Sequence, residues 1–330
     1  MSVRIAIIGL GKIGGSIGLA LSEHKDRLYR VGHDKNLETA KKAEKAGAID
    51  KNSINLIATV ENADLIILAL PIDQIRQTLE LIASELKEGA VVIDTGLVKQ
   101  SVAEWAEELL PEGRFYVGIT PVLNPVYLIN NDSGFDAAHA DLFEQGMLAI
   151  SAPNRTSSDA IKLASDLCTL VNAEPFFVDI FEIDGLMAMT HILPQLAAAS
   201  LINMTVNQPG WREARKVAGQ PYAGNTGQVL VYTDIRALSE AARHGRQNVI
   251  RVIDDLINVL YSVRDDLDKQ DFESLERSLS KAHEARVTWW HQRQKANWLS
   301  EELPPTEIPS SGERLGQWIG IRKKPKKTES

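Results

Sequence analysis

Cysteine occurs once in the 330 residues, at Cys168. A single thiol excludes an intrachain disulfide and fits a reducing, cytoplasmic setting. Its neighbours Ile161, Leu163, Leu167 and Leu170 mark it as a core side chain. Positive charge is also in short supply, with 36 Lys and Arg against 44 Asp and Glu, a net charge of −8. That balance favours solubility and argues against nucleic acid as the main partner, since no basic stripe appears before the last ten residues. No secretory signal is expected either. The chain opens on "VRIAIIGLGKIGG", whose apolar run is far shorter than a spanning helix and is broken by glycines.

One stretch lacks charge over a length that could cross a bilayer, Leu186 to Val206. His191, Pro194, Gln195, Asn203 and Thr205 interrupt it, and polar groups are costly in lipid. A buried helix of a soluble protein is therefore expected, with no membrane span. The small residues Ala197, Ala198, Ala199 and Ser200 suit close helix packing.

From residue 3 to about 180, short runs rich in Ile and Val alternate with segments of helical period, the pattern of a parallel sheet. Strands are predicted at Val3–Ile8, Leu28–His33, Leu65–Leu70, Ala90–Asp94, Phe115–Ile119, Met147–Ser151 and Pro175–Val178. Helices fall between them at Ile13–Ser22, Leu37–Ala46, Ile72–Leu86 and Ser101–Leu109, the second with Asn36 as N-cap and Gly47 as its stop. Residues 124–146 read as a long excursion with a turn at "NNDSG". After 180 only helical periods remain, interrupted by "GQPYAGNTGQ" (219–228), whose three glycines and proline predict a loop. The fold class is thus α/β, a Rossmann-type parallel sheet followed by an all-helical domain. Three parts are expected: a dinucleotide-binding domain at 1–180, a helical dimerisation and substrate domain at 181–298, and a proline-rich linker with a basic tail at 299–330. The apolar residues Leu315, Trp318, Ile319 and Ile321 could make the tail a docking segment rather than a solvated end.

"IIGLGKIGG" puts Gly9, Gly11 and Gly14 in a G-x-G-x-x-G pattern between a strand and a helix. Gly9 permits the tight turn, Gly11 a close approach of the pyrophosphate, and Gly14 contact between helix and strand; Lys12 and Ile13 open the helix toward the phosphates. Asp34, 20 residues beyond Gly14, is placed to accept both ribose hydroxyls and to repel a 2′-phosphate, so NAD is expected over NADP. Leu70 and Pro71, ending "LALP", are further candidates to line the cofactor.

The strings "GLGKIGGSIGLAL", "ADLIILALPIDQI", "VVIDTGLVK", "FYVGITPV" and "EIDGLMAMTHILPQLAAASL" resemble, in order and spacing, the prephenate and arogenate dehydrogenase family over roughly residues 3 to 290. The resemblance implies a nucleotide-binding domain followed by a helical dimerisation domain, a homodimer, and NAD-dependent oxidative decarboxylation of a small carboxylated substrate on the way to tyrosine. Several positions depart from the family's pattern. Leu97 stands where Asp-x-Gly-Ser-Val-Lys has its serine, and Thr120 where Gly-His-Pro has the histidine that receives the substrate's hydroxyl proton. In "HILPQ", Ile192 and Gln195 replace two histidines while His191 takes a serine position; Gly227 stands where a carboxylate-gripping arginine is usual.

Hydride removal from an alcohol needs a proton acceptor, which threonine does not supply near neutral pH. Lys99, Thr120 and His191 are the candidate catalytic residues, Lys99 being alternatively a solvated helix-start lysine and His191 a core histidine. One step along a helix turns a side chain by about 100°, so His191 is expected to meet the cleft from a different angle than the family's neighbouring histidine. Asn124, Gln195, Tyr222 and Asn225 are candidate substrate contacts, and no metal site is expected. Two other readings stay open: a catalytically silent NAD-binding sensor or dimeric partner, and an imine or ketone reductase on the same scaffold.

Overall fold

The computed structural model describes residues 2–129, 132–230 and 235–295. The expected linker and tail at 299–330 lie outside these residues, as do Asn130 and Asn131 of the "NNDSG" turn.

Eight strands form one sheet: β1 (Val3–Ile8), β2 (Leu28–His33), β3 (Lys51–Asn52), β4 (Leu65–Leu68), β5 (Val91–Asp94), β6 (Phe115–Val122), β7 (Met147–Ser151) and β8 (Glu174–Phe177). Their order is β3-β2-β1-β4-β5-β6-β7-β8, so the chain reverses direction across the sheet between β1 and β4. The helices within this part are α1 (Lys12–Ala20), α2 (Leu37–Lys45), α3 (Leu56–Val60), α4 (Ile72–Ile82), α5 (Gln100–Leu109) and α6 (Ser158–Leu170). Both sheet faces are covered, which is why the strands read as continuous apolar runs. Ile5 and Ile7 point to the side of Ile17, Ala40 and Leu167, and Ala6 and Ile8 to that of Ile75, Leu79 and Val102. Asn36 caps α2 through bonds from Glu38 N and Thr39 N, and Gly47 follows it at φ +79°.

The all-parallel sheet needs one correction: β7 runs antiparallel to β6, pairing Gly118 with Ser151 and Val122 with Met147. A parallel return needs a crossover, normally a helix. Among the described residues of 123–146 the helix is limited to short turns at Pro125–Tyr127 and Phe135–Ala137, and the chain re-enters at the end it left and runs back.

The helical part continues with α7 (Ile180–Met187), a wide π turn (Ala188–Ile192), α8 (Leu193–Val206), α9 (Trp211–Val217), α10 (Gln220–Thr226), α11 (Ile235–His244), α12 (Arg246–Asp268) and α13 (Phe272–Lys295). The loop expected at 219–228 is instead α10 followed by a single 3-10 turn, Gly227–Leu230. Pro221 lies in the first turn, where its missing N–H costs nothing, and Gly219 is the N-cap outside the helix. The run Ile180–Val206 is long and apolar enough to span a bilayer by length and composition. It is not the buried helix expected: within α8 only Gln195 and Ala198 are buried, and Met204 is 53% exposed.

Residues Met1–His283 form one compact unit, and the change from strands to helices falls inside it. The second unit starts at Glu284; its described residues end α13, with Arg286 stacked 4.9 Å over the rings of Trp289 and Trp290.

Candidate active site

The phosphate turn is built as its glycines require. Gly9 sits at φ +88°, and a Cβ there would lie 2.4 Å from the Ala69 carbonyl oxygen. A Cβ on Gly14 would lie 1.9 Å from the carbonyl oxygen of Gly9, so strand and helix touch only because both residues lack one. Gly11 is different, because a Cβ there meets nothing within 4 Å. Among the described residues its bareness serves no contact, and it leaves room for an approaching group. No side chain caps α1, whose first N–H groups remain available to an anion. Asp34 Oδ2 accepts from Leu10 N at 2.8 Å and Oδ1 from Asn36 N at 2.8 Å, which holds the carboxylate beside the turn with a lone pair spare on each oxygen. Open glycine, uncapped helix and fixed carboxylate fit a dinucleotide.

A cleft of about 590 Å³ opens at the carboxyl ends of β1, β4, β5 and β6. This is the switch point of the sheet, where open α/β folds bind ligands. Its walls include Gly11, Lys12 and Ile13 from the phosphate turn, Leu70 and Pro71 after β4, Thr95 to Leu97 after β5, and Thr120 and Pro121 at the end of β6. The excursion contributes Leu123, Tyr127, Leu128 and Asp132, and the helical part contributes Thr190, His191, Pro194, Gln195 and Gln228. Burial pulls the Lys12 ammonium below its ordinary pKa, with Asp132 acting in the opposite sense. The excursion is strapped to α1: His139 N donates to Ser16 Oγ at 2.9 Å, and Phe135 lies over Gly15 where a Cβ would come within 2.8 Å of it.

Lys99 does not line the cleft. Its ammonium is wholly buried and donates to Asp94 Oδ1 at 2.8 Å, to the Asp94 carbonyl at 3.2 Å and to the Ile119 carbonyl at 2.9 Å. Asp94 also accepts from the Tyr116 hydroxyl at 2.6 Å and from Gly96 N at 2.8 Å. Burial lowers the pKa of Lys99 against the opposing Asp94 charge; burial, then Asp94, raises that of Tyr116. Lys99 thus ties the end of β5 to the residue before Thr120 and fixes two walls of the cleft from behind. Asp184 of α7 accepts from Lys99 N at 2.6 Å and Gln100 N at 3.1 Å, capping α5 from the helical part. Burial raises its pKa, and those two bonds lower it.

Three candidate substrate contacts also lie elsewhere. Asn124 caps the turn after it, accepting from Val126 N at 3.1 Å and donating to the Asp141 carbonyl at 3.2 Å. Tyr222 bonds Thr205 Oγ1 at 2.7 Å, and Asn225 donates to the Pro221 carbonyl at 2.8 Å, each satisfied within the helical part. Gln195 does line the cleft, its amide nitrogen donating to the His191 carbonyl at 2.7 Å. Sequence reasoning missed Asp94, Tyr116 and Asp184. The signal for Asp184 was a carboxylate inside the apolar run "EIDGLMAM".

Thr120 and His191 face the same cleft. Thr120 is 1% exposed, and its hydroxyl has no hydrogen-bond partner among the described residues. An unpaired buried hydroxyl costs about 1–3 kcal/mol, which a polar ligand atom would relieve. His191 Nδ1 lies 2.9 Å from Thr190 Oγ1, and the protein around the ring lowers its pKa.

A family model described as prephenate dehydrogenase, nucleotide-binding domain, matches residues 17–176. The prephenate dehydrogenase of Bacillus subtilis is 27% identical over 299 residues, covering 87% of this chain and 76% of that enzyme. The cyclohexadienyl dehydrogenase of Zymomonas mobilis is 23% identical over 287 residues, 86% of this chain and 95% of its own length. In three dimensions the chain is similar to prephenate dehydrogenase from A. aeolicus, solved with hydroxyphenyl propionate and NAD+, at a TM-score of 0.77 and 20% identity over 87% of this chain and 98% of that one. That likeness concerns the fold alone. Sequence relatives spanning most of the chain and the match over its nucleotide-binding part agree with the strand order and the phosphate turn, and the chain is similar to the prephenate dehydrogenases over most of its length.

Proposed function

We propose that the chain is an NAD-dependent oxidoreductase of the prephenate and arogenate dehydrogenase type, with a substrate or chemistry altered from that of its relatives. The observation that carries this reading is Gly11, a glycine with nothing within 4 Å of its missing Cβ, at the uncapped N-terminus of α1 and on the wall of the cleft that holds Thr120 and His191. NAD supplies the acceptor or donor of a hydride; Gly9, Gly11 and Gly14 admit its phosphates, and Asp34 selects it over NADP. Among the described residues Lys12 is the only Lys or Arg lining the cleft, and it stands at the phosphate end. A substrate carboxylate at the far end would therefore meet neutral donors such as Gln195 and Gln228.

Residues 1–180 serve the cofactor, and 181–298 complete the site and join two copies into a cytoplasmic homodimer, a role supported by the uncovered apolar positions of α8. A silent NAD-binding sensor is the second reading, favoured by the absence of an ionisable group at position 120. Calorimetric titration with NAD+ and NADP+, followed by NAD+ with prephenate or arogenate and absorbance of the reduced cofactor, separates the two. Turnover of prephenate or arogenate at ordinary enzyme rates supports the oxidoreductase but overturns the altered substrate or chemistry, binding without turnover of a wider substrate set supports the sensor, and no dinucleotide binding sinks both.

A further inference from the structure

The proton acceptor that Thr120 cannot supply is present elsewhere in the cleft. Thr190 Oγ1 lies 2.7 Å from the Leu186 carbonyl oxygen and 2.9 Å from His191 Nδ1. A carbonyl only accepts, so the single hydroxyl proton of Thr190 goes to Leu186, and its oxygen receives the bond from the ring. Nδ1 therefore carries the hydrogen of the neutral imidazole and Nε2 its lone pair. Among the described residues no hydrogen bond occupies Nε2, and His191 lines the cleft. The wide turn Ala188–Ile192 helps to make this possible, as Thr190, His191, Pro194 and Gln195 all present themselves to one cavity. Such turns recur at functional sites.

Resting on the reading that this cleft binds NAD+, we propose that His191 Nε2 takes the hydroxyl proton of an alcohol substrate while the Thr120 hydroxyl hydrogen-bonds the reacting oxygen. The step balances with the dinucleotide as the only oxidant: the O–H proton passes to Nε2, the C–H electron pair leaves as hydride to NAD+, and a C=O bond forms. The protein around the ring lowers its pKa, which favours the neutral form that a proton acceptor needs. With Nε2 bare, the neutral ring is in the form that accepts a proton from an alcohol; the reverse reduction would use the same ring in its protonated form.

The tautomer can be read without a substrate. In the full chain labelled with 15N-histidine, the resonance lost in His191→Gln identifies the ring; at pH 7.5 it should show a protonated Nδ1 and a bare Nε2. Thr190→Val should move it toward the opposite tautomer. A charged ring, or one protonated at Nε2 in the native chain, overturns the proposal. Activity is the second arm: with NAD+ and prephenate or arogenate, His191→Gln and His191→Asn should retain NAD+ affinity by calorimetry and lose about 10²–10⁴-fold in turnover. Imidazole should restore part of the rate in His191→Ala. Turnover unchanged in folded His191 variants overturns the assignment, and if the native chain turns over neither compound the tautomer decides. Failure of the native chain to bind NAD+ sinks the cofactor reading and this step with it, whereas NAD+ binding with Nε2 protonated overturns the proposal alone.

Discussion

Asp34 holds the phosphate turn with one carboxylate oxygen and the start of α2 with the other, which fixes its charge beside the turn. Asp34→Ser should remove the repulsion of a 2′-phosphate and narrow or reverse the preference for NAD over NADP by about tenfold or more, one such factor being about 1.4 kcal/mol. Tighter binding of NADPH than NADH by the native chain would count against that role. Lys99 calls for a different expectation. Lys99→Met leaves the buried Asp94 carboxylate without its cation, which should cost about 3–5 kcal/mol in urea unfolding. A loss below 1 kcal/mol would mean that Asp94 finds its compensation elsewhere.

His191 and His244 bear on pH. Burial lowers both pKa values below the ordinary 6.5, helped at His244 by Arg243. Below pH 6.5 the unfolded chain thus binds more protons at these rings than the folded one. Their contribution to stability is complete above that value and is lost as pH falls through the folded pKa values. Asp184, its pKa raised, acts in the opposite sense, so the useful readout is a difference. Between pH 7.5 and 5.5 the melting temperature of the native chain should fall further than that of the double variant His191→Gln, His244→Gln. Parallel curves would show that the rings titrate alike folded and unfolded.

At the scale of elements, the turn between β1 and α1 separates two uses of glycine. Gly11→Val adds atoms where the chain has none within 4 Å, so the melting temperature should stay close to native while NAD+ affinity drops by at least tenfold. Gly14→Ala puts a methyl group 1.9 Å from the Gly9 carbonyl oxygen and should lower both together. If Gly11→Val bound NAD+ normally, the phosphates would have to lie elsewhere. This turn was legible in the sequence because its signal is local, glycine spacing between an apolar run and a helical period. Strands β1, β2 and β7 were legible to the residue for the same reason. What depends on meeting in space was not. The direction of β7 is set by where the excursion returns the chain, and the burial of Lys99 by Asp94, Tyr116 and Ile119 converging from two strands. Gly219 and Pro221 read as breakers in the sequence, yet Gly219 is the N-cap just outside α10 and Pro221 lies in its first turn, positions compatible with the helix. The π turn that helps bring His191 to the cleft leaves no compositional mark at all.

At the scale of the whole molecule, α7 and α8 leave apolar side chains uncovered, Phe181 and Met204 among them, and the turn between the helices exposes Met189. A second copy of the chain should cover them, with sedimentation equilibrium at micromolar concentration giving twice the chain mass. Met189→Lys with Met204→Lys should shift that equilibrium toward the monomer; a native monomer would count against the helical interface.

The bond from Lys99 N to Asp184 spans 85 residues of chain. On a ribosome adding about 5–20 residues per second, α5 leaves the tunnel roughly 4–17 s before its cap does. Through that interval the first N–H groups of α5 lack the acceptor that Asp184 provides, and Ala149 of β7 lacks the Ile183 and Met187 of α7 that later pack on it. A nascent chain halted between about residues 110 and 180 should therefore be the form most exposed to proteases and most dependent on chaperones, and release should come with the arrival of α7 rather than with completion of the sheet.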